Sequence, residues 1–235
     1  MIMGINDMQK DTPGLNTDLA ARVAVDTQDM EWTQSPGGHV QRKRVHLSGP
    51  AESGRVTSVV RYLPGAVFPA HGHPGGEEIL VLDGIFSDEH GDWPAGTYLL
   101  NPEGFHHSPF SHGGCTLLVK LRQFPGSDRR HVAVQTRDYP WIDSDREGLA
   151  RKELYAQQPY TDHTRLERWE TPSAIGTLQY PRGAELFVLE GRFTDQFGSY
   201  RRHSWLRIPA GGSLTPSGKD RCELYIKEGG FGYLV

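Results

Sequence analysis

The stretch "HGHPGGEE", residues 71–78, decides how this chain is read. Two histidines stand one residue apart, and two carboxylates follow at once. Polar and glycine-rich clusters of this kind usually mark a surface turn between strands. The alternative is half of a metal site, and then Glu77 and Glu78 must be told apart. Side chains alternate between the two faces of an extended strand. By that parity His71, His73 and Glu77 share one face, and Glu78 points to the other.

The flanking segments read as strands. "RVTSVVRYLPG" (55–65), "EEILVLDGIFSD" (77–88) and "GTYLLNPEG" (96–104) are rich in Val, Leu, Phe, Tyr and Thr and close on turn residues. The 28 glycines and 16 prolines punctuate such runs along the whole chain. Segments with a helical period are scarce; "TDLAARVAV" (17–25) is expected to hold a turn of helix. The pattern predicts an all-β protein, sandwich or barrel.

Composition narrows the function classes. With 36% apolar and 23% charged residues the chain is ordinary for a soluble globular protein. A net charge of −4 argues against nucleic acid as a partner, and the run Arg42-Lys43-Arg44 is expected to be a solvated strand end. The sequence contains no apolar run long enough for a membrane helix and no secretory leader pattern. The two cysteines, Cys115 and Cys222, make no CxxC pair, so a cysteine-based zinc module is excluded and a reducing cytoplasm is expected.

The chain repeats itself. "GGEEILVLDGIFSDEHG" aligns with "RGAELFVLEGRFTDQFG" at a constant offset of 107 (191 − 84). The offset pairs Gly84 with Gly191, Phe86 with Phe193, Asp88 with Asp195, Pro102 with Pro209, Cys115 with Cys222 and Lys120 with Lys227. Upstream, "RVAVDTQDMEW" resembles "HVAVQTRDYPW", with Trp32 matching Trp141. The expected organisation is an N-terminal arm over 1–17, one unit over 18–124, a linker over 125–130 and a second unit over 131–235.

At this point the residues resemble the cupin superfamily, whose first motif is G(X)5HXH(X)3–4E(X)6G. Gly65, His71, His73, Glu77 and Gly84 fit it without adjustment. Gly96, Pro102, Gly104 and His107 fit the second motif, G(X)5PXG(X)2H(X)3N, with Ser111 in place of its asparagine. The resemblance implies two tandem jelly-roll (RmlC-like) β-barrels, with His71, His73, Glu77 and His107 converging on one divalent metal in the first. Three imidazoles and a carboxylate suit zinc, which is expected first, or iron, manganese or nickel. His106 should face away from the site, and Tyr98 and Phe105, beside the second motif, are expected to line the pocket.

The second copy lacks every implied ligand. At offset 107 His71, His73, Glu77 and His107 become Leu178, Tyr180, Ala184 and Leu214, while Glu78 persists as Glu185. Glu77 is therefore expected to be the ligand, and Glu78 a structural residue. The second barrel is expected to be metal-free, either filled or holding an apolar pocket.

More specifically, residues 55–124 resemble the cupin-like domain of ChrR anti-sigma factors, which carries zinc and takes part in responses to singlet oxygen and organic peroxides. The separate zinc domain that binds the sigma factor has no counterpart here, so direct sigma-factor binding is not expected. The resemblance implies a metal-binding bicupin acting in stress response or small-molecule binding, and a homodimer is expected. The alternative is an iron dioxygenase cleaving a diketone or hydroxyketone, as other cupins do; sugar isomerisation, a third cupin activity, lacks a phosphate-binding motif here.

Overall fold

The structure is a computed structural model that describes residues 14–234. Most of the expected N-terminal arm, residues 1–13, lies outside the described residues. Two β-barrels account for nearly everything else. In the first, the strands Thr97–Asn101, Glu77–Asp88, Cys115–Leu121, Arg55–Tyr62 and Val40–Ser48 lie side by side in that order. In the second, Ser204–Ile208, Ala184–Glu190, Cys222–Glu228, His163–Trp169 and Leu149–Ala156 repeat the same order. Short ladders close the open face of each barrel, His71–Gly72 with His106–His107 in the first and Leu178–Tyr180 with Gly212–Leu214 in the second. No helix among the described residues is long and apolar enough to cross a membrane.

Each copy gives its first strand to the other. Val23–Asp26 pairs with Ser204–Ile208 of the second barrel, and Val132–Gln135 pairs with Thr97–Asn101 of the first. The registers correspond, Val23 opposite Arg207 and Val132 opposite Leu100. The exchange makes the chain a closed pseudo-two-fold pair. It also corrects the expected helical turn over 17–25: Val23 and Val25 alternate along a strand, and pairing with the neighbouring barrel satisfies backbone groups that a short isolated helix would leave free.

An apolar layer joins the barrels, with Leu80, Leu100 and Leu118 meeting Leu166, Phe187 and Trp205. Charged groups are set into it, and two carboxylates there are held by several partners each. Glu78 accepts hydrogen bonds from the hydroxyls of Tyr98 (2.5 Å), Thr164 (2.7 Å) and Tyr225 (2.6 Å), with the Lys227 ammonium 3.7 Å away. By pseudo-symmetry Glu185 accepts from Lys120 and from the Trp205 indole. Both carboxylates are buried. A buried charge left unpaired would be strongly destabilising, which is why the repeat keeps this acid together with its lysine.

One irregularity of the long strand positions the site. Opposite Thr116 and Leu117 the Glu77–Asp88 strand carries a bulge at Leu82, so side-chain parity inverts along it. Glu77, Ile79 and Val81 face the barrel interior before the bulge, and Phe86 and Asp88 do so after it. Gly84, just beyond, has a φ of +73°, and a Cβ there would come within 2.2 Å of the Gly114 carbonyl oxygen. Only glycine tolerates that approach, and Gly191 repeats it in the second barrel.

Candidate metal centre

The ladder between His71–Gly72 and His106–His107 sets His107 directly opposite His71. His106 is exposed, and its ring lies over Gly72, where a Cβ would meet its Nε2 at 2.7 Å. The chain then leaves the strand. Gly75 and Gly76 adopt φ of +74° and +72°, and the Gly76 N–H donates to the His73 carbonyl. Residues 71–77 are therefore not one extended strand, which corrects the parity argument. Glu77 reaches the site because a glycine turn folds the chain back, making it the first residue of the next strand.

The histidines converge. One ligating nitrogen from each of His71, His73 and His107 lies within 4.8 Å of the others. The Nε2 atoms of His73 and His107 approach to 2.8 Å, and a Glu77 oxygen stands 3.4 Å and 3.6 Å from them. His73, His107 and Glu77 are buried and His71 is half-buried.

Surrounding groups fix this arrangement. The Pro69 carbonyl lies 2.8 Å from His71 Nδ1, which selects the tautomer that leaves Nε2 free. The Asn101 amide donates to Glu77 at 3.0 Å. Asp88 holds His107 through Nδ1 at 3.1 Å and accepts from the His90 N–H and the Trp93 indole. A carboxylate behind a ligating imidazole orients the ring and raises its basicity. Asp88 and Asn101 escape a reading by parity because Asp88 lies beyond the bulge and Asn101 comes from a separate strand.

The electrostatics suit a cationic guest. Burial, reinforced by His107 and His71, pushes His73 down to about 3, so its imidazole is neutral at physiological pH. Burial raises Glu77 against the pull of His107 and Asn101. Burial would also lower His107, but the bond to Asp88 and the charge of Glu77 outweigh it. Three imidazoles and a nearby carboxylate form a good donor set for a divalent transition metal, which binds the deprotonated rings; the His71–His73–His107 triad can hold such an ion.

A cavity of about 190 Å³ adjoins the cluster, walled by Val60, Phe68, Ile79, Phe86, Leu117 and their neighbours. Neither residue expected to line it does so. Tyr98 is fully buried between the barrels, where its hydroxyl is committed to Glu78. Phe105 lies outside, packed edge-on to His107 at 5.7 Å and stacked on His131 at 5.1 Å. Arg42 and Arg44, read as a solvated strand end, do line the cavity, while Lys43 is buried on the opposite face. The strand alternates where the sequence offers only a run of charge.

In the second barrel the same space is filled. Leu178 and Leu214 face each other as His71 and His107 do, within an apolar core that includes Tyr180 and Ala184. Arg165 and Glu167, at the positions of the cavity-lining Ser58 and Val60, form a buried ion pair at 2.8 Å, and the Trp169 indole donates to Glu167. Cys115 and Cys222 occupy matching buried positions, where burial pushes their thiols up to about 11 and about 12.

The ChrR cupin-like domain family matches the sequence twice, over residues 20–125 and 129–232. The chain belongs to the ChrR cupin-like family. No curated protein matches its sequence. Among solved structures this bicupin is similar to a provisionally assigned dioxygenase from Nostoc punctiforme, with a TM-score of 0.73 at 16% identity over 88% of this chain and 82% of that one. It is also similar to oxalate decarboxylase from Bacillus subtilis (TM-score 0.59, 13% identity, 87% and 76% covered). A bacterial pirin from Escherichia coli in complex with nickel(II) is a third (TM-score 0.61, 12% identity, 88% and 98% covered). At these identities the likeness is one of fold.

Proposed function

We propose that the first barrel is a metal-dependent catalytic site acting on a small oxygenated carbon compound, in the manner of cupin dioxygenases. The observation that carries this reading is the cavity of about 190 Å³ that opens directly onto the histidine cluster. A purely structural metal site is closed, whereas a catalytic one keeps room for a substrate. The resemblance to a provisionally assigned dioxygenase favours the same class.

His71, His73, His107 and Glu77 would hold the metal, and when bound it supplies Lewis-acid or redox chemistry toward an oxygen ligand. The protein's own part follows from the geometry. Asp88 fixes the orientation of His107, the Pro69 carbonyl fixes the tautomer of His71, and Asn101 anchors Glu77. The apolar wall of Val60, Ile79, Phe86 and Leu117 limits water around the reacting group. The small volume, below the roughly 300–1,000 Å³ of drug-sized pockets, selects a compact substrate.

A thiol-based sensor is the less favoured reading, because buried Cys115, with its pKa near 11, carries almost no thiolate at neutral pH. The test is oxygen uptake after loading the full chain with Fe(II), across a panel of small diketones, hydroxyketones and keto acids. Turnover that is lost in His73→Ala supports the proposal. Full metal loading with no uptake on any member of the panel overturns it.

A further inference from the structure

The cavity of the first barrel is cationic at the end lined by Arg42 and Arg44. Both alternate with Lys43 along Val40–Ser48, so both share the inner barrel face with Val40, while Lys43 packs against Trp32 at 4.5 Å. Arg122 lines the same cavity and makes no ion pair among the described residues. Apart from Glu77, the one carboxylate lining the cavity is Glu52, from the turn that joins Val40–Ser48 to Arg55–Tyr62. Its two oxygens meet Arg42 at 2.7 Å and Arg44 at 2.8 Å. The arginine side chains are 20% and 19% exposed and that of Glu52 is 52% exposed, so the counter-ion is the solvent-facing partner.

The second barrel solves the same problem differently. Arg151 faces Glu167 across the strand pair, as Arg42 faces Val60 in the first. Glu167 is fully buried and belongs to the barrel wall, and it neutralises Arg151 at 3.0 Å and Arg165 at 2.8 Å. Where the histidines are lost, the arginine is closed off by a permanent internal carboxylate. Where they are present, the arginines are served by a carboxylate lent from a surface turn, and Arg122 is left over.

We propose that Arg42 and Arg44 are the specificity determinants of the site and that its ligand is a small carboxylate, a keto or hydroxy acid rather than a neutral ketone. Glu52 is the internal stand-in for that carboxylate. The ligand's carboxylate displaces it from the two guanidiniums, whose planar donors match a carboxylate closely, while its remaining oxygens face the histidine cluster. The inference rests on the metal-site reading for that second contact, but the arginine contact stands apart from it.

The experiment is isothermal titration calorimetry on the full metal-loaded chain with acetoacetate and with acetylacetone, which is near-isosteric and lacks the carboxylate. Acetoacetate is expected to bind at least about tenfold tighter, the scale set by a charge-assisted arginine contact. In the Arg42→Gln/Arg44→Gln double variant the preference should fall to about one. Glu52 is left exposed there, and circular dichroism and metal content verify the fold and the site. Glu52→Gln should tighten acetoacetate several-fold and leave acetylacetone unchanged. Equal binding of the two probes, a preference that survives in the double variant, or inorganic phosphate binding as tightly as acetoacetate would overturn the proposal. Repeating the titration on chelator-treated protein separates the two readings. An arginine-dependent preference that persists without metal supports this inference even if the metal reading fails.

Discussion

Glu77 and Glu78 are neighbours in sequence with opposite duties, and mutation should separate them cleanly. Glu78→Ala removes the common acceptor of three buried hydroxyls, those of Tyr98, Thr164 and Tyr225. Lys227 keeps its contact with Asp162 at 2.9 Å, so no lysine is orphaned. Leaving a buried donor unpaired costs about 1–3 kcal/mol, so the three together predict a loss of roughly 3–9 kcal/mol, less whatever water recovers by entering the gap. That is a large share of the ~5–15 kcal/mol by which a domain is usually stable. Glu78→Gln keeps the shape and one acceptor, and should cost about 2–4 kcal/mol through lost charge assistance. Urea unfolding of metal-free protein reads this directly, with a midpoint fall of about 0.7–1.3 M for Gln at a slope near 3 kcal/mol/M. Glu77→Ala, measured in the same way, should lower the midpoint far less, because only the Asn101 amide loses its partner and the adjoining cavity can supply water, and should instead weaken metal binding. A Glu78→Gln midpoint within about 0.2 M of wild type, or loss of metal from the Glu78 variant while Glu77→Ala retains it, would refute the division.

Other consequences are open to direct measurement. Asp88→Asn should weaken metal affinity by about 10–100-fold while leaving the fold intact, because the group orienting His107 loses its charge; competition against a chromogenic chelator measures it. Cys115 and Cys222 should resist a thiol reagent in the native protein at pH 7.5 and react fully once unfolded, since burial raises both thiols to about 11 and about 12. Burial alone would raise Asp162, but Lys227 and Arg129 outweigh it and hold it below its ordinary 3.8. A depressed carboxylate contributes stability that is complete above its unfolded pKa and is lost as pH falls through the folded one. Asp162→Asn should therefore reduce stability at neutral pH and flatten its decline below about pH 4, followed by chemical denaturation at stepped pH.

Much of this organisation is legible in the sequence, and the failures have definite physical causes. The repeat and the motif spacing lead to two barrels with His71, His73, Glu77 and His107 in the first, and the structure brings these four together. The division of Glu77 from Glu78 is reached by parity, although the chain achieves it by a glycine turn at Gly75 and Gly76. Asp88 is hidden because the bulge at Leu82 reverses the faces of the strand midway. Tyr98 looks like a pocket residue from its neighbours in sequence, but strand exchange makes its surroundings the other barrel. Arg42 and Arg44 look solvated because a charge run carries no information about which of its members face a cavity. Sequence periodicity reports local geometry, and these misses all arise from tertiary pairing.

The most direct test of the central claim is metal stoichiometry by mass spectrometry on protein purified without added metal. One transition-metal ion per chain in the wild type, and none in His73→Ala with its far-ultraviolet circular dichroism unchanged, is the predicted result. Two ions per chain, or a His73→Ala variant that keeps its full complement, would contradict a single site in the first barrel.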